Sequence, residues 1–396
     1  MLFNYRVLDL ANDKGMFCAK LLADLGADVI KIERPGGDPA RNTAPFLNNM
    51  PDPERSLYFW NYNTSKRGIT LNIEAKRGRE LFKRLIKTAD IIIETYSPDY
   101  LDNLELSYNA LAEVNPRLIV ASITGFGRDG PYKNYKTCDL VASALGGQMY
   151  VCGDRDTPPL KPFGNQTYHM ACLYATFGIL LALRQRHNSG RGQHIDVPIH
   201  ECVAATLDHV LVRYFYEWVV AKRQGNLHWS NGFRVFRCRD GYILLPPLQQ
   251  WETLVEWLDS EGMAADLKEP RWRDKAVRHQ GIDHIIQVLE QWTQVHTVSE
   301  LVELGQLMHF PCAEVASPQQ VIDNLQLKER GFFVEVKHPE LKSQYQYPGA
   351  PYCFGQSPWQ ISKRAPLIGE HNKEIYGEEL GLSEPELSAL VRDGVI

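Results

Sequence analysis

The chain has 396 residues, of which 44% are apolar and 23% are charged, values ordinary for a globular protein. Its 43 lysines and arginines are outnumbered by 48 acidic residues, and the net charge of −5 argues against binding to nucleic acid or a membrane surface, which a basic excess would favour. The most apolar stretch, 170–183, is shorter than the ~18 residues that span a bilayer, so we predict a buried helix there.

The first 130 residues alternate strand patterns with helical patterns. The predicted strands cover 6–10, 28–33, 68–72, 90–94 and 118–122, and the predicted helices cover 15–25, 76–88 and 108–114. This alternation is typical of βαβ units, in which helices cover both faces of a parallel sheet.

From residue 166 to 221 the pattern is mostly helical, with one strand at 192–197. A hairpin is then predicted at 233–245, turning at Asp240-Gly241, followed by short helices and a strand at 332–336. We therefore predict an α/β fold with a parallel-sheet, Rossmann-like large domain over 1–225. A smaller α+β domain should cover 226–345, and the C-terminal segments 346–396 should return to the large domain.

No leader with a charged and then an apolar region precedes the first strand pattern, and the eight cysteines are scattered without a C-x-x-C pair. Such cysteines are expected to be reduced thiols that pack as small apolar side chains, rather than disulfides or metal ligands. We predict a cytoplasmic protein without a metal.

The segment Gly125–Gly130 matches the G-x-G-x-x-G pattern and follows a predicted strand. A dinucleotide site requires this loop to open a helix whose N-terminus meets the pyrophosphate. Here Pro131 and a polar stretch follow instead, so we interpret the motif as a glycine-rich turn and expect no nicotinamide cofactor.

Catalytic carboxylates are absent between Asp156 and Asp196. Tyr168 and His169 begin the long helix inside this interval. The ordinary pKa of a histidine suits a general base, but a structural role for His169, and a packing or hydrogen-bonding role for Tyr168, are the expected alternatives.

Basic residues cluster in sequence around the predicted strand ends. Ligands of open α/β sheets bind at the carboxyl ends of the strands, so cations there suit phosphates. The candidates after the second and fifth strands are Lys31, Arg34, Arg41, Lys133 and Lys136, whereas Lys66 and Arg67 precede the third strand. We expect an anionic ligand at this edge, with a solvated surface charge as the alternative for each residue.

Several segments in order along the chain resemble the class III CoA-transferase family, which includes formyl-CoA transferase, carnitine CoA-transferase and, by fold, the α-methylacyl-CoA racemases. They are LGADVIKIERPG (25–36), SKRGITL (65–71), NPRLI (115–119), GFG (125–127), GPY (130–132), SGRGQ (189–193) and GEH (369–371). The resemblance implies a dimer in which two chains interlock like linked rings.

The resemblance also implies an Asp at the start of the long helix, which attacks an acyl-CoA thioester and forms first an anhydride and then an enzyme–CoA thioester. In this sequence the position falls on Tyr168, or on Thr167 with a shift of one residue, and neither is acidic. The catalytic residues of the racemases are no better preserved. By resemblance, their general-base His falls near Cys138 of this sequence and their Asp again falls near Tyr168.

The family's CoA contacts are better preserved than its nucleophile. By resemblance they fall on Arg34, Leu71, Thr95, Tyr96 and Lys136. Arg34 and Lys136 supply cations for phosphate, and Thr95-Tyr96 replaces the family's usual Asn-Phe with another polar–aromatic pair.

This pattern is similar to the Asp-less subunit of two-subunit enzymes of the family, such as the one that moves CoA from succinyl-CoA to benzylsuccinate in anaerobic toluene breakdown. We therefore expect a CoA-binding subunit that relies on a homologous Asp-bearing partner and acts on acyl-CoA and carboxylate substrates. Two alternatives stay open. One is a self-sufficient isomerase, racemase or transferase that uses His169 or Tyr168, and the other is a non-catalytic CoA-binding scaffold.

Four aromatic residues, Tyr214, Tyr216, Trp218 and Trp229, could line a pocket for an aryl substrate. Ordinary core packing is the expected role for most of them.

Overall fold

The computed structural model describes residues 1–228 and 232–396, which form two compact units. The first unit contains Met1–Met149, Lys161–Val220 and Glu329–Ile396, and the second contains Tyr150–Leu160 and Ala221–Lys328. This division differs from the prediction at 150–160 and 221–225, which were predicted to lie in the large domain, and at 329–345, which were predicted to lie in the small one.

The segment 329–345 belongs to the first unit because a two-stranded ribbon packs there. Strands β11 (Phe333–His338) and β12 (Ser343–Pro348) pair antiparallel. Val336 and Tyr347 from this ribbon share a buried apolar cluster with Phe59 and Trp60. Sequence could not reveal this, because the two contacting segments are more than 270 residues apart.

The first unit is built on a six-stranded, entirely parallel sheet in the order β3-β2-β1-β4-β5-β6. Its strands are β1 (Arg6–Leu10), β2 (Asp28–Glu33), β3 (Arg67–Thr70), β4 (Ile91–Glu94), β5 (Ile119–Thr124) and β6 (His194–Pro198). The α/β prediction with a parallel sheet is confirmed. The strand order reverses between β1 and β4, so the loops that follow these two strands diverge at the carboxyl edge of the sheet. Ligands of such folds bind in this crevice.

Both faces of the sheet are covered, which explains the almost continuous apolar character of the strands. Val7 and Ile91 pack on one face with helices α1 and α8, and Leu8 and Ile92 pack on the other with α3, α5 and the C-terminal segment. The helices of the first unit are α1 (Met16–Asp24), α2 (Leu57–Tyr62), α3 (Lys76–Ile86), α4 (Tyr100–Asn103), α5 (Tyr108–Val114), α6 (Asp139–Leu145), α8 (Gln166–Ser189), α9 (Ile199–Ala205), α10 (His209–Glu217) and α17 (Glu384–Arg392). A π-helix covers Lys373–Glu379.

Helix α8 corrects the prediction of a fully buried helix at 170–183. One face contributes Ala171, Cys172 and Ile179 to the core. The opposite face exposes Leu173, Tyr174, Phe177, Leu180 and Leu181, and Phe177 is 61% accessible. No helix in the described part of the chain combines the length and apolar character needed to cross a bilayer.

Helix α10 and the residue after it correct the expectation of core packing for the aromatic group. Tyr214 is exposed, and Tyr216 and Trp218 are 83% and 76% accessible. Trp229, the fourth member, lies outside the described residues. These three aromatic side chains are therefore available to contact another molecule.

The second unit contains a four-stranded sheet in the order β10-β9-β8-β7, and the predicted hairpin at 233–245 is confirmed as antiparallel β8 and β9. Its strands are β7 (Leu227–His228), β8 (Phe233–Arg237), β9 (Tyr242–Leu245) and β10 (Ala313–Glu314). The core includes Trp257, Trp292 and Phe310. The remaining helices of the chain are α7 (Gln148–Val151), α11 (Trp251–Ser260), α12 (Lys275–Gln280), α13 (Ile282–Thr293), α14 (Val298–Leu307), α15 (Pro318–Asp323) and α16 (Leu325–Glu329).

Candidate active site

A cleft of about 410 Å³ opens at the carboxyl edge of the parallel sheet, beside the point where the strand order reverses. One wall is the segment Thr95–Pro98, which follows β4. The other wall consists of Thr124, Gly125 and residues 133–137, which follow β5, and Lys14 enters from the loop after β1. Three adjacent strands therefore deliver their loops to one opening.

Thr95 and Tyr96, two of the expected CoA contacts, lie together in this cleft. The Thr95 hydroxyl accepts a hydrogen bond from the Asn12 backbone N–H and donates one to Asn12 Oδ1, both at 2.9 Å. Tyr96 stacks on Tyr100, with ring centroids 4.4 Å apart, and burial raises the pKa of its phenol. The pair therefore presents a hydroxyl locked to the β1 loop and a neutral aromatic platform.

The cleft also carries three lysines. Lys136 is exposed and makes no hydrogen bond or ion pair within the described residues. Lys133 Nζ lies 3.3 Å from Asp99 Oδ1 across the opening, and Lys14 extends from the β1 loop. Positive charge at this edge suits a phosphate-bearing ligand.

Arg34 is exposed and lies beside the aromatic platform. Its Nη2 atom donates to Glu74 at 2.9 Å and to the Tyr100 hydroxyl at 3.2 Å. Leu71 differs from the other expected contacts, because its side chain is only 2% exposed and packs in the core beneath the sheet. Any contact with a ligand there would have to involve backbone atoms.

Four of the basic residues singled out from sequence are structural instead, and one of them is Arg67, which forms ion pairs with Asp28 at 2.7 Å and Glu374 at 2.6 Å. Lys31 is buried and pairs with Asp38 at 3.0 Å, and it also donates to the Ala11 carbonyl. Arg41 is buried in a bidentate pair with Glu33, at 2.6 and 2.7 Å. These two residues do not offer a free cation to a phosphate, which corrects the expectation for them.

Lys66 is the third buried cation. Its Nζ lies 2.8 Å from Asp9 Oδ2, neither side chain is exposed, and burial lowers the pKa of this lysine. A pair of this kind is costly to break, because removing one partner leaves a buried charge uncompensated.

The start of α8, where the family's Asp would fall, is aromatic. Tyr168 is buried, and burial raises the pKa of its phenol. His169 Nε2 lies 2.7 Å from the Tyr62 hydroxyl and the ring packs 4.8 Å from that of Phe17. Burial lowers the pKa of His169, so the imidazole is neutral at pH 7.

A carboxylate does reach this helix, although the count of acids in the sequence did not reveal it. Asp139, the first residue of α6, accepts hydrogen bonds from the backbone N–H of Thr167 at 3.1 Å and from its hydroxyl at 2.7 Å. Lys161 Nζ lies 2.7 Å from the other carboxylate oxygen. Asp139 thus accepts a hydrogen bond from an N–H in the first turn of α8 that has no partner within the helix, and its negative charge is stabilised by the positive end of the helix dipole. Its oxygens are already engaged, which does not suit a nucleophile.

Asp13 is a second acid that sequence reasoning missed. It lies in the loop after β1, burial raises the pKa of its carboxyl, and its charge contributes to the raised pKa of Tyr168. No motif marks it in the sequence, because it approaches α8 only through the fold. Cys138, the position of the racemase base, is an exposed thiol.

The interpretation of Gly125–Gly130 as a turn is confirmed. Gly127 and Gly130 have φ values of +90° and +78°, which favour glycine. Between Gly130 and Asp139, where α6 begins, the chain forms no helix. The Gly127 N–H donates to Thr124 Oγ1 at 2.9 Å, so the turn folds back on the end of β5. Within the described residues, no group of three or more His, Cys, Asp or Glu side chains could hold a metal ion.

A parallel α/β sheet with a cationic and aromatic cleft at its reversal point defines a protein that can hold a phosphate-bearing ligand. The model of the family described as CoA-transferase family III matches residues 2–372. The chain belongs to this family of enzymes, whose substrates are CoA thioesters.

Relatives match almost the whole length. The chain is 35% identical to the succinyl-CoA:(R)-benzylsuccinate CoA-transferase subunit BbsE of Thauera aromatica, with 99% of this chain and 97% of the relative covered. It is 34% identical to a formyl-CoA:oxalate CoA-transferase of Streptomyces avermitilis, with 99% and 98% covered. Among solved structures, a CAIB/BAIF family protein from Brucella suis superposes with a TM-score of 0.84 at 29% identity, with 95% of this chain and 98% of that chain covered.

Proposed function

We propose that this chain is the non-nucleophilic subunit of a two-subunit class III CoA-transferase. It holds CoA in the cleft beside β4 and relies on a homologous Asp-bearing chain for the covalent step. The complex moves CoA from an acyl-CoA such as succinyl-CoA to a carboxylic acid such as benzylsuccinate. The observation that carries the proposal is the buried Tyr168 at the nucleophile position, with the nearby Asp139 already bound by Thr167 and Lys161.

The residues of the cleft suit the parts of CoA. Lys136 and Lys14 carry charge for its phosphates, and Lys133 can exchange its exposed partner Asp99 for a phosphate at little cost, because exposed ion pairs are weak. The stacked rings of Tyr96 and Tyr100 offer a face for adenine, and Arg34 lies beside them. These six residues come from the segments that follow four different strands, β1, β2, β4 and β5, so the proposed site exists only in the folded chain.

The covalent step is assigned to the partner. Its Asp carboxylate attacks the thioester carbonyl, the carbon–sulfur bond breaks, and CoA leaves as a thiolate while an anhydride forms. The thiolate attacks the Asp carbonyl carbon of that anhydride and releases the donor acid, which leaves an enzyme–CoA thioester. The acceptor carboxylate attacks this thioester, and CoA leaves again as a thiolate while a second anhydride forms. The thiolate then attacks the acceptor's carbonyl carbon, which yields the acceptor–CoA thioester and frees the Asp carboxylate. The role of this chain is to bind and orient, since Tyr168 with its raised pKa is neutral and has no charge with which to attack.

A partner surface is available on the first unit. Five large apolar side chains form the exposed face of α8, and Tyr216 and Trp218 stand out at the end of α10. Apolar surface of this extent is typical of protein interfaces. The relative in Thauera aromatica is itself described as a subunit, which supports a homologous chain as the occupant, and we propose the interlocked dimer of the family as its arrangement.

The cell compartment and pathway belong to the same proposal. We assign the chain to the cytoplasm, where CoA thioesters are found and thiols stay reduced, and to anaerobic breakdown of an aromatic compound. We expect neither a metal nor a nicotinamide cofactor in the reaction.

The experiment that tests the proposal is CoA exchange with succinyl-CoA and a panel of carboxylates, run with the chain alone and with an Asp-bearing homologue co-expressed. We expect turnover only from the complex. Turnover by the chain alone that is lost on Asp13→Asn or His169→Gln would establish a self-sufficient enzyme instead. CoA binding without any effect on the turnover of a co-purifying homologue would indicate a scaffold.

A further inference from the structure

The glycine-rich turn Gly125–Gly130 connects the segments behind the two walls of the cleft through one side chain. Arg128 lies in the loop that follows β5, outside the cleft lining. Its Nη2 atom donates to Asp102 Oδ2 at 3.0 Å, and Asp102 lies on α4, in the segment that follows β4. The Arg128 backbone N–H donates to Asp196 on β6 at 2.9 Å, which holds the turn to the sheet.

Glu94, the last residue of β4, faces the same guanidinium. Its side chain is completely buried, and Oε1 lies 3.8 Å from Arg128 Nη1, beyond hydrogen-bond distance. The other oxygen, Oε2, accepts a hydrogen bond from the backbone N–H of Tyr96 at 2.7 Å. Glu94 therefore links Arg128 to the residue that forms the aromatic platform of the cleft.

The surroundings of Glu94 leave one oxygen of its buried carboxyl group without a hydrogen bond, which destabilises the fold. Oε1 has no hydrogen-bond partner, and it borders a cavity of about 10 Å³ that is also lined by Ser122, Tyr108 and His194. The Ser122 hydroxyl lies 2.8 Å from His194 Nε2, and His194 stacks on Tyr108. Burial raises the pKa of Glu94. A buried carboxylate oxygen without a hydrogen bond depends on nearby positive charge, and the charge of Arg128 opposes the effect of burial on the pKa of Glu94.

We propose that Arg128 is a positioning residue for the CoA cleft, and that it acts by holding Asp102 and facing Glu94 so that the two walls and the Thr95–Tyr96 pair keep their spacing. The inference rests on the proposed function, in which this cleft binds CoA. Arg128 does not line the cleft and would not touch the ligand.

A second bridge between the walls, from Lys133 to Asp99, is weaker than the one made by Arg128. Its side chains are 35% and 54% exposed, whereas Arg128 and Asp102 are 20% and 43% exposed and Arg128 also faces the buried Glu94. Exposed pairs are screened by salt and contribute little. The spacing of the walls should therefore depend mainly on Arg128.

The test is the dissociation constant for CoA, measured by calorimetry on the full chain together with any partner that co-purifies. We expect Arg128→Ala to weaken CoA binding on the order of tenfold, the effect of losing one charged hydrogen bond that orders the site. In the exchange assay KM for the acyl-CoA should rise while kcat stays within twofold. Arg77→Ala, which removes an exposed arginine from its pair with Asp393, is the matched control and should leave both values unchanged.

Two milder variants keep the test decisive if Arg128→Ala does not fold. Asp102→Asn preserves shape at an exposed position and should weaken binding about threefold, with Arg128 intact. Glu94→Gln keeps an acceptor for the Tyr96 N–H. Its effect should not add to that of Asp102→Asn, because both residues act through Arg128.

The outcomes separate the inference from the proposed function. If the wild-type protein binds CoA and the dissociation constants of Arg128→Ala and Asp102→Asn lie within twofold of the wild-type value, the positioning role alone is overturned. Loss of thermal stability in Arg128→Ala with an unchanged dissociation constant would do the same, because it would indicate a purely structural contact. Failure of the wild-type protein to bind CoA would overturn the proposed function itself.

Discussion

The cleft beside β4 and the start of α8 belong to the same unit but differ in chemistry. The cleft is polar and open, with three lysines and a stacked tyrosine pair. The start of α8 is aromatic and largely buried, and the carboxylate bound to it, Asp139, is held by Thr167 and Lys161. Different loops therefore supply the two regions, and under the proposed function this separates the binding of a CoA thioester from the attack on it.

The largest expected effect comes from a substitution at the start of α8, and it is a loss of stability. Asp139→Ala would leave the Thr167 N–H without its acceptor and Lys161 without its ion-pair partner, and it should lower the free energy of unfolding by about 3 kcal/mol. Denaturant unfolding measures this loss. CoA affinity should be unchanged in the folded protein.

Asp139→Asn is the matched control, because it keeps the shape and one acceptor oxygen. It should cost less stability than Asp139→Ala and leave exchange by the complex intact. Abolished exchange in a stable Asp139→Asn protein would contradict the account, since Asp139 would then be a catalytic acid.

The next effect concerns the cleft. Lys136→Ala removes an unpaired surface cation and should weaken CoA binding about threefold to tenfold at low salt, with a smaller effect at high salt because the contact is electrostatic. Calorimetry at two salt concentrations measures both values. Lys87→Ala, an exposed lysine outside the cleft, should have no effect.

A smaller effect is expected for Tyr168→Phe. Removing the hydroxyl of a buried, neutral tyrosine should leave exchange by the complex within about twofold, since no step of the proposed reaction uses it. Initial rates under saturating succinyl-CoA check this. A rate lowered a hundredfold would assign Tyr168 to the chemistry and favour the self-sufficient alternative.

The smallest effect is a pH dependence that arises from His169. Because burial lowers the pKa of the native imidazole, the unfolded chain takes up a proton at ~6.5 that the native state resists. The His169 contribution to stability is therefore present above pH 6.5 and is lost as pH falls below it. His169→Gln should reduce the fall in Tm between pH 7.5 and 5.5.

A residual slope should remain in His169→Gln, because His194, His338 and His371 also have a lowered pKa through burial. An unchanged slope would mean that the ring is not buried in solution as it is in the structure.

Local sequence signals predicted the sheet well. Strands such as 28–33 and 118–122 contain runs of β-branched and apolar residues, among them Val29, Ile30, Ile119 and Val120, and both faces of the sheet bury them. Alternation with helices then determined the parallel arrangement. The glycine-rich turn was also predictable, because the segment that begins at Pro131 has no amphipathic helical pattern.

The cations and acids could not be assigned from sequence, because their partners are distant in the chain. Lys66 is neutralised by Asp9, 57 positions away, and Asp139 meets Thr167 across 28 positions. A lysine in a strand and a lysine at a cleft have the same local pattern. The exposed faces of α8 and α10 were missed for a related reason, since an apolar residue in sequence does not report what covers it.

The most direct test of the central claim is CoA exchange by the purified chain alone, followed by addition of an Asp-bearing homologue. We predict that the lone chain binds CoA but does not turn over. Rates should appear with the homologue and disappear when the homologue's nucleophilic Asp is replaced by Asn. Exchange by the lone chain at the rate of the complex would contradict the account.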